Sequence, residues 1–289
     1  MQGWRKRMED SHISDLNQGQ GGILHTFGVF DGHGGKEVAQ FVKVHFTEEL
    51  INRDSYKQGN MKKAMPETFL RMDEMLVENP GKIELKKYAQ LSREQDEIIN
   101  QREKNKQMDL FKQLLGQGKD EEEISMMTGC TASVCAIDEA NKKVYFANAG
   151  DSRAVICRGG VGYPMSIDHK PDLDVEKNRI YKADGWVSEG RVKGNLNLSR
   201  SLGDLEYKQN KRLPPEDQMI TANPDVVVEP LQDIDFIVLA CDGVWDCMTN
   251  QEICDFINER LKKDSKIKLS KIIEDIFDKI IAPDIYTGI

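Results

Sequence analysis

The 289-residue sequence has no apolar stretch long enough to cross a bilayer. Its opening Met1-Gln2-Gly3-Trp4-Arg5-Lys6-Arg7-Met8-Glu9-Asp10 carries charge where a secretory leader needs an apolar centre, so neither a spanning helix nor a signal peptide is expected. A basic excess is missing too: 40 Lys and Arg stand against 49 Asp and Glu, a formal net charge of −9. Without surplus cations to neutralise phosphates, no nucleic-acid or membrane partner is expected. No Cys-x-x-Cys pair occurs among Cys130, Cys135, Cys157, Cys241, Cys247 and Cys254, which argues against a zinc ribbon or a redox dithiol. Buried, reduced thiols in a cytoplasmic or nuclear protein are the simplest account. Internal repeats are absent, as is the Gly-x-Ser-x-Gly elbow of esterases.

What is present begins with the apolar run Ile23 to Phe30, a strand, ending in Asp31-Gly32-His33-Gly34-Gly35. A hard oxygen ligand, an imidazole and three glycines at a strand end can bring a metal and a proton donor to one reacting group; they also suit a Gly-rich turn. Residues 36 to 51 then take helical spacing, with Val38, Phe41, Val42, His45 and Leu50 on one face. A second helix is expected from Pro66 through Phe69, Met72 and Leu76. Between about 79 and 127 charges crowd in, and Gly116-Gln117-Gly118 with Asp120 to Glu123 interrupts the pattern, so the stretch reads as a charged, largely helical insertion.

Beyond it the period becomes two. Thr131 to Ile137 and Lys143 to Ala149 flank a hairpin turn, and Arg153 to Arg158 is expected to continue the sheet. Val226 to Leu231 and Asp235 to Ala240 add strands, the second nearly all apolar and so expected to be central. Thr249 and Glu252 have capping-box spacing ahead of a helix, and Ile272, Ile273, Ile276, Phe277 and Ile280 give a last helix its apolar side, closed by Ala282-Pro283. Strands grouped between early and late helices predict an α+β layered domain.

Acidic residues recur at the strand ends: Glu9-Asp10, Asp31, Gly150-Asp151-Ser152-Arg153, and Cys241-Asp242-Gly243 with Asp246. Each alone suits a turn. Together, an oxygen-only donor set without a Cys or His cluster selects a hard cation, Mg²⁺ or Mn²⁺. Competing signatures are weaker. Cys254 and Arg260 have the Cys-x5-Arg spacing of tyrosine phosphatases but lie in a helical pattern without glycines, where no backbone cradle for phosphate forms. Asp172-Leu173-Asp174-Val175 lacks the preceding apolar strand that would support an aspartyl nucleophile.

The motifs resemble those of the metal-dependent protein phosphatases of type 2C. The resemblance rests on Gln2 to Arg5 with Met8-Glu9-Asp10, Val29 to Gly35, Thr128 to Ala132, Asn148 to Arg153, Asp168 to Pro171, Leu198 to Asp204 and Leu239 to Asp246. It implies a single catalytic domain over 1–289, with 79–127 as an insertion. The implied fold is a four-layer α/β/β/α sandwich, two antiparallel sheets flanked by helices, holding two Mg²⁺ or Mn²⁺ ions and a third, weaker one. By matching position Asp31 bridges two metals, Glu9 and the Gly32 carbonyl complete one site, Asp242 holds the other, and Asp10 steadies metal-bound water. Asp151, Asp242 and Asp246 match the third position, and Arg5 the grip on phosphate. The implied reaction is attack of a bridging hydroxide on phosphoserine or phosphothreonine in proteins, without a phosphoenzyme and with His33 as acid to the leaving group.

In the family, a stretch like 282–289 is followed by an Asp-Asn pair carrying a further metal ligand and by closing strands, and a strand precedes the Gln-Gly-Trp-Arg segment. The expectation is a fragment lacking terminal strands. The alternative is a weakened, phosphatase-like binding module. A monomer is expected.

Overall fold

The computed structural model describes residues 1–19, 21, 23–103 and 124–283, with residues 95–103 described by their backbone alone. Strands β1 (Ser11–Gln18), β2 (Leu24–Phe30), β5 (Ala132–Asp138), β6 (Lys143–Ala149) and β12 (Asp225–Pro230) form an antiparallel sheet in the order β1-β2-β5-β6-β12. A second sheet runs β13-β7-β8, from β13 (Phe236–Ala240), β7 (Arg153–Arg158) and β8 (Val161–Pro164). Alternation along these strands builds the layers. Cys135, Val144 and Phe146 of the first sheet meet Ala154, Ile156, Ile237 and Leu239 of the second, while Val134, Ala136, Tyr145 and Ala147 face the other way.

That outer face is covered by α1 (Glu37–Asn52), α3 (Met61–Val77) and the start of α4 (Asn79–Glu103); α2 (Asp54–Lys57) links the first two. Val38, Phe41, Val42, Phe46 and Leu50 are fully buried, and Phe46 meets Phe69 edge to face at 5.3 Å. His45 is half-buried on this face, where its Nε2 lies 2.7 Å from Glu84 Oε2 and its ring 4.4 Å from that of Phe41. The second sheet is covered by α8 (Asn250–Lys263) and α9 (Leu269–Ile280), whose Ile253, Ile257, Ile272 and Ile276 pack on Val155, Cys157 and Val238. The result is the expected helix, sheet, sheet, helix sandwich. The capping box of α8 is formed, Thr249 and Glu252 each accepting from the other's backbone N–H.

Three expectations need revision. Strand β7 crosses to the second sheet instead of continuing the first, because Gly150, at φ 119°, turns the chain between the layers. Strand β13, read as central, pairs among the described residues with β7 alone; its two-sided apolarity arises because one face meets the first sheet and the other the helices. Helix α3 starts at Met61, not Pro66, with Asn60 accepting from the Lys63 N–H at 3.2 Å. Pro66 is tolerated inside because the i−4 carbonyl it leaves unbonded belongs to exposed Lys62. Of the charged stretch 79–127, α4 sends Leu85 and Ala89 into the core, and Gly116 to Glu123 lie outside the described residues.

Between β8 and β12 the chain forms a separate lobe from α6 (Asp174–Lys182) and the hairpin β9 (Val187–Ser188) and β10 (Arg191–Val192), cored by Ile180, Val192, Tyr207 and Ile220.

Candidate metal centre

Short strands at one end of the sandwich assemble the candidate residues. β3 (Gly32–His33), β4 (Gly129–Cys130) and β11 (Leu202–Gly203) form a three-stranded sheet ordered β11-β4-β3; α5 (Ile124–Met127) precedes β4. This register sets His33 opposite Gly129 and Gly203 opposite the same residue, which brings Asp204 over to His33. The His33 Nε2 lies 2.7 Å from Asp204 Oδ2. Gly129 is needed for this approach: a Cβ there would overlap the Asp204 carboxylate and stand 2.8 Å from His33 Nε2. Asp204 takes a left-handed backbone (φ 50°), donates its N–H to the Thr128 carbonyl and accepts from Ser201 Oγ. Burial opposes the charged imidazolium, but the neighbouring carboxylates, Asp204 foremost, outweigh it and raise the His33 pKa above the usual histidine value.

Asp31 sits between β2 and β3 with its peptide held on both sides by Thr131, whose Oγ1 accepts the Asp31 N–H at 3.2 Å and whose N–H donates to the Asp31 carbonyl at 2.9 Å. Beside it Gly32 packs so close to the Glu9 carbonyl that a Cβ would overlap it. Asp242, the first residue of α7 (Asp242–Trp245), arrives from the end of β13. Donor atoms of Asp31, Cys241 and Asp242 lie within 4.8 Å of one another. The crowding is electrostatic. Burial first, then the charges of Asp10 and Asp242, push the Asp31 carboxyl up to about 8, with a hydrogen bond to Asp10 adding to the shift. Burial and the charge of Asp151 raise Asp242, and burial with the Glu37 charge raises Glu9 against nearby Arg7. Cys241 is pushed up to about 12 by burial and by Asp31 and Asp10, so its thiol stays protonated.

The remaining expected residues lie around this core. The Asp151 carboxylate is buried and ion-paired with Lys170. Asp246 is exposed one turn beyond Asp242, to whose carbonyl it donates at 2.8 Å, and its charge acts on Arg153. Arg5 is exposed; its N–H reaches the Gln2 carbonyl at 3.2 Å, and its charge acts on Glu9. The adjacent Trp4 fastens this segment by donating its indole N–H to the Ala282 carbonyl at 2.8 Å. Asp204 and Lys170 received no role from the sequence. Both fall inside motif runs, so membership was their one signal; the His33 to Asp204 pairing spans 171 positions.

Carboxylates that repel one another until a cation joins them, with a protonated thiol as the odd member, fit an oxygen-binding divalent cation. The profile of the family described as Protein phosphatase 2C matches residues 1–87 and 76–286. The chain belongs to the protein phosphatase 2C family. It is 43% identical over 296 residues to "Probable protein phosphatase 2C 21" of Arabidopsis thaliana, covering 100% of this chain and 81% of that protein. Against "Probable protein phosphatase 2C 6" of Paramecium tetraurelia the identity is 45% over 289 residues, with 100% and 86% covered. The crystal structure of a phosphatase from Toxoplasma gondii shares the fold, with a TM-score of 0.66 at 23% identity over 96% of this chain and 85% of that one. As a 2C phosphatase the protein is a metal-dependent serine/threonine protein phosphatase that acts on phosphoproteins, and the binding-module alternative is not favoured.

Proposed function

We propose that this 2C phosphatase works with Mg²⁺ or Mn²⁺ held around Asp31 and Asp242, and that His33 protonates the departing serine or threonine oxygen. The observation that carries the reading is the convergence of Asp31 and Asp242, with Asp31 two residues along the chain from His33, itself paired with Asp204. Glu9 and the Gly32 carbonyl are the remaining groups offered to two cations, Asp10 would steady the water they hold, and Asp151, Asp242 and Asp246 are the groups offered to a weaker third. Bound there, such cations supply the positive charge and Lewis acidity that in-line attack of water on phosphorus requires.

The chain's own groups do the rest. Asp204 engages the Nε2 of His33, so the proton reaches the leaving oxygen from Nδ1 while the buried carboxylate stabilises the imidazolium. An alkoxide needs that proton, because it is a poor leaving group. Thr131 holds the Asp31 peptide in place from both sides. Arg5, exposed beside Glu9, can bind two phosphate oxygens at once. No covalent phosphoenzyme is needed: Cys241 is protonated, and Cys254 is buried inside α8 with its thiol raised to about 12. All six cysteines are free thiols, the state that a reducing compartment such as the cytoplasm or nucleus maintains. Phosphate release from a phosphothreonine peptide is expected to stop in excess chelator and to return with Mn²⁺ or Mg²⁺. Undiminished release in the chelator would overturn the reading.

A further inference from the structure

Three consecutive residues after β8 grip the turn that carries Asp151. Asp168 takes Arg153 in a two-pronged ion pair at 2.9 and 2.7 Å. His169 donates its backbone N–H to the Gly150 carbonyl at 3.0 Å and accepts the Gly150 N–H on its ring Nδ1 at 3.2 Å. Lys170 then lays its ammonium on Asp151 Oδ2. The first two contacts involve backbone or a planar fork and fix the loop. The third differs in kind, because a lysine is a compact charge on a flexible stem, and this side chain is 44% exposed while the Asp151 carboxylate is 3% exposed.

A carboxylate buried that deeply is costly without a cation beside it. Its charge is felt by Asp31, Asp242 and His33, so whichever cation sits on Asp151 acts on the whole centre. We propose that Lys170 is a tethered cation that occupies Asp151 in place of a loosely held divalent ion, so that ammonium and metal exclude each other there. Exchange requires only rotation of the lysine stem into water, since Asp168 and His169 keep the loop where it is. The affinity of the outermost metal position is therefore set by a residue that is not one of its ligands. The inference rests on the reading of Asp151, with Asp242 and Asp246, as a weak cation position beside the centre at Asp31 and Asp242.

The test is Mn²⁺ binding, counted by the electron paramagnetic resonance signal of free Mn²⁺ during titration of the intact chain. The expected result is that Lys170→Gln tightens the weakest class of Mn²⁺ by roughly tenfold or more, because a competing charge a few ångströms away is removed. Adding Asp151→Asn to Lys170→Gln is expected to abolish that class. A Lys170→Gln isotherm that superimposes on the wild type, with the tight Mn²⁺ retained, would overturn the role of Lys170 alone. Absence of any bound Mn²⁺ in the wild type would overturn the metal centre and this inference together.

Discussion

Glu176 in α6 offers a test of what holds the lobe beside the candidate metal centre. Its side chain is 2% exposed and accepts from Arg200 Nη2 at 2.6 Å, Arg179 Nη1 at 2.6 Å and Ser199 Oγ at 2.7 Å. Arg200 continues to Asp225 Oδ1 at 2.8 Å, and Asp225 reaches His169 Nε2 at 3.1 Å, so the network runs from α6 to the residue that grips Gly150. Burial alone would raise the Glu176 pKa; the hydrogen bonds and charges of the two arginines outweigh it and lower it to about 2 from 4.5. The folded pKa is depressed, so the stabilisation is fully present above about pH 4.5 and is lost as pH falls through about 2. Lowering from 4.5 to about 2 corresponds to about 3 kcal/mol at neutral pH, shrinking to about 2 kcal/mol near pH 3.5. Glu176→Gln removes the titrating charge at little change of shape. Urea unfolding across this pH range is expected to show the variant less stable by about 3 kcal/mol at neutral pH, with the gap closing as pH falls. A gap under about 0.5 kcal/mol, or one that does not narrow below pH 4.5, would refute the reasoning.

Three further outcomes are expected. Gly129→Ala places a methyl group into the Asp204 carboxylate and should cut hydrolysis of a phosphoserine peptide roughly tenfold or more while sparing p-nitrophenyl phosphate, whose leaving group scarcely needs a proton; equal losses in steady-state assays would remove the proton-donor role of His33. In chelator the protein should lose thermal stability as pH rises from about 4 to about 8, because the folded state keeps the raised Asp31 proton that the unfolded chain has released, and Mn²⁺ should abolish that slope; a flat chelator profile contradicts the crowding of Asp31. Thr249→Ala should cost about 1 kcal/mol in urea unfolding by removing the capping box of α8, whereas an unchanged midpoint would show that the cap does not matter there.

The layered fold was legible because each strand alternates and each helix has one apolar stripe, properties written within ten or twenty consecutive residues. Sheet membership was not. A period of two says which residues share a face but not which sheet the strand joins, so β7 and β13 were misplaced until the turn at Gly150 and the two covered faces of β13 could be seen. Asp31 and Asp242 were readable as strand-end carboxylates in Gly-rich turns. Partners recruited from distant segments were not: Asp204 reaches His33 only through the register of β3, β4 and β11, and Lys170 reaches Asp151 only because Asp168 and His169 anchor its loop. Asp246 and Arg5, expected from the motifs alone, are exposed and act by charge on Arg153 and Glu9.

The central claim is that Asp31 organises a metal centre on which phosphate release depends. Its most direct test is the rate of phosphate release from a phosphothreonine peptide as Mn²⁺ is titrated into the wild type and into Asp31→Asn. The account predicts saturable, Mn²⁺-dependent release by the wild type and a loss of orders of magnitude in the variant that excess Mn²⁺ does not restore. A variant that reaches the wild-type rate at saturating Mn²⁺ would contradict it.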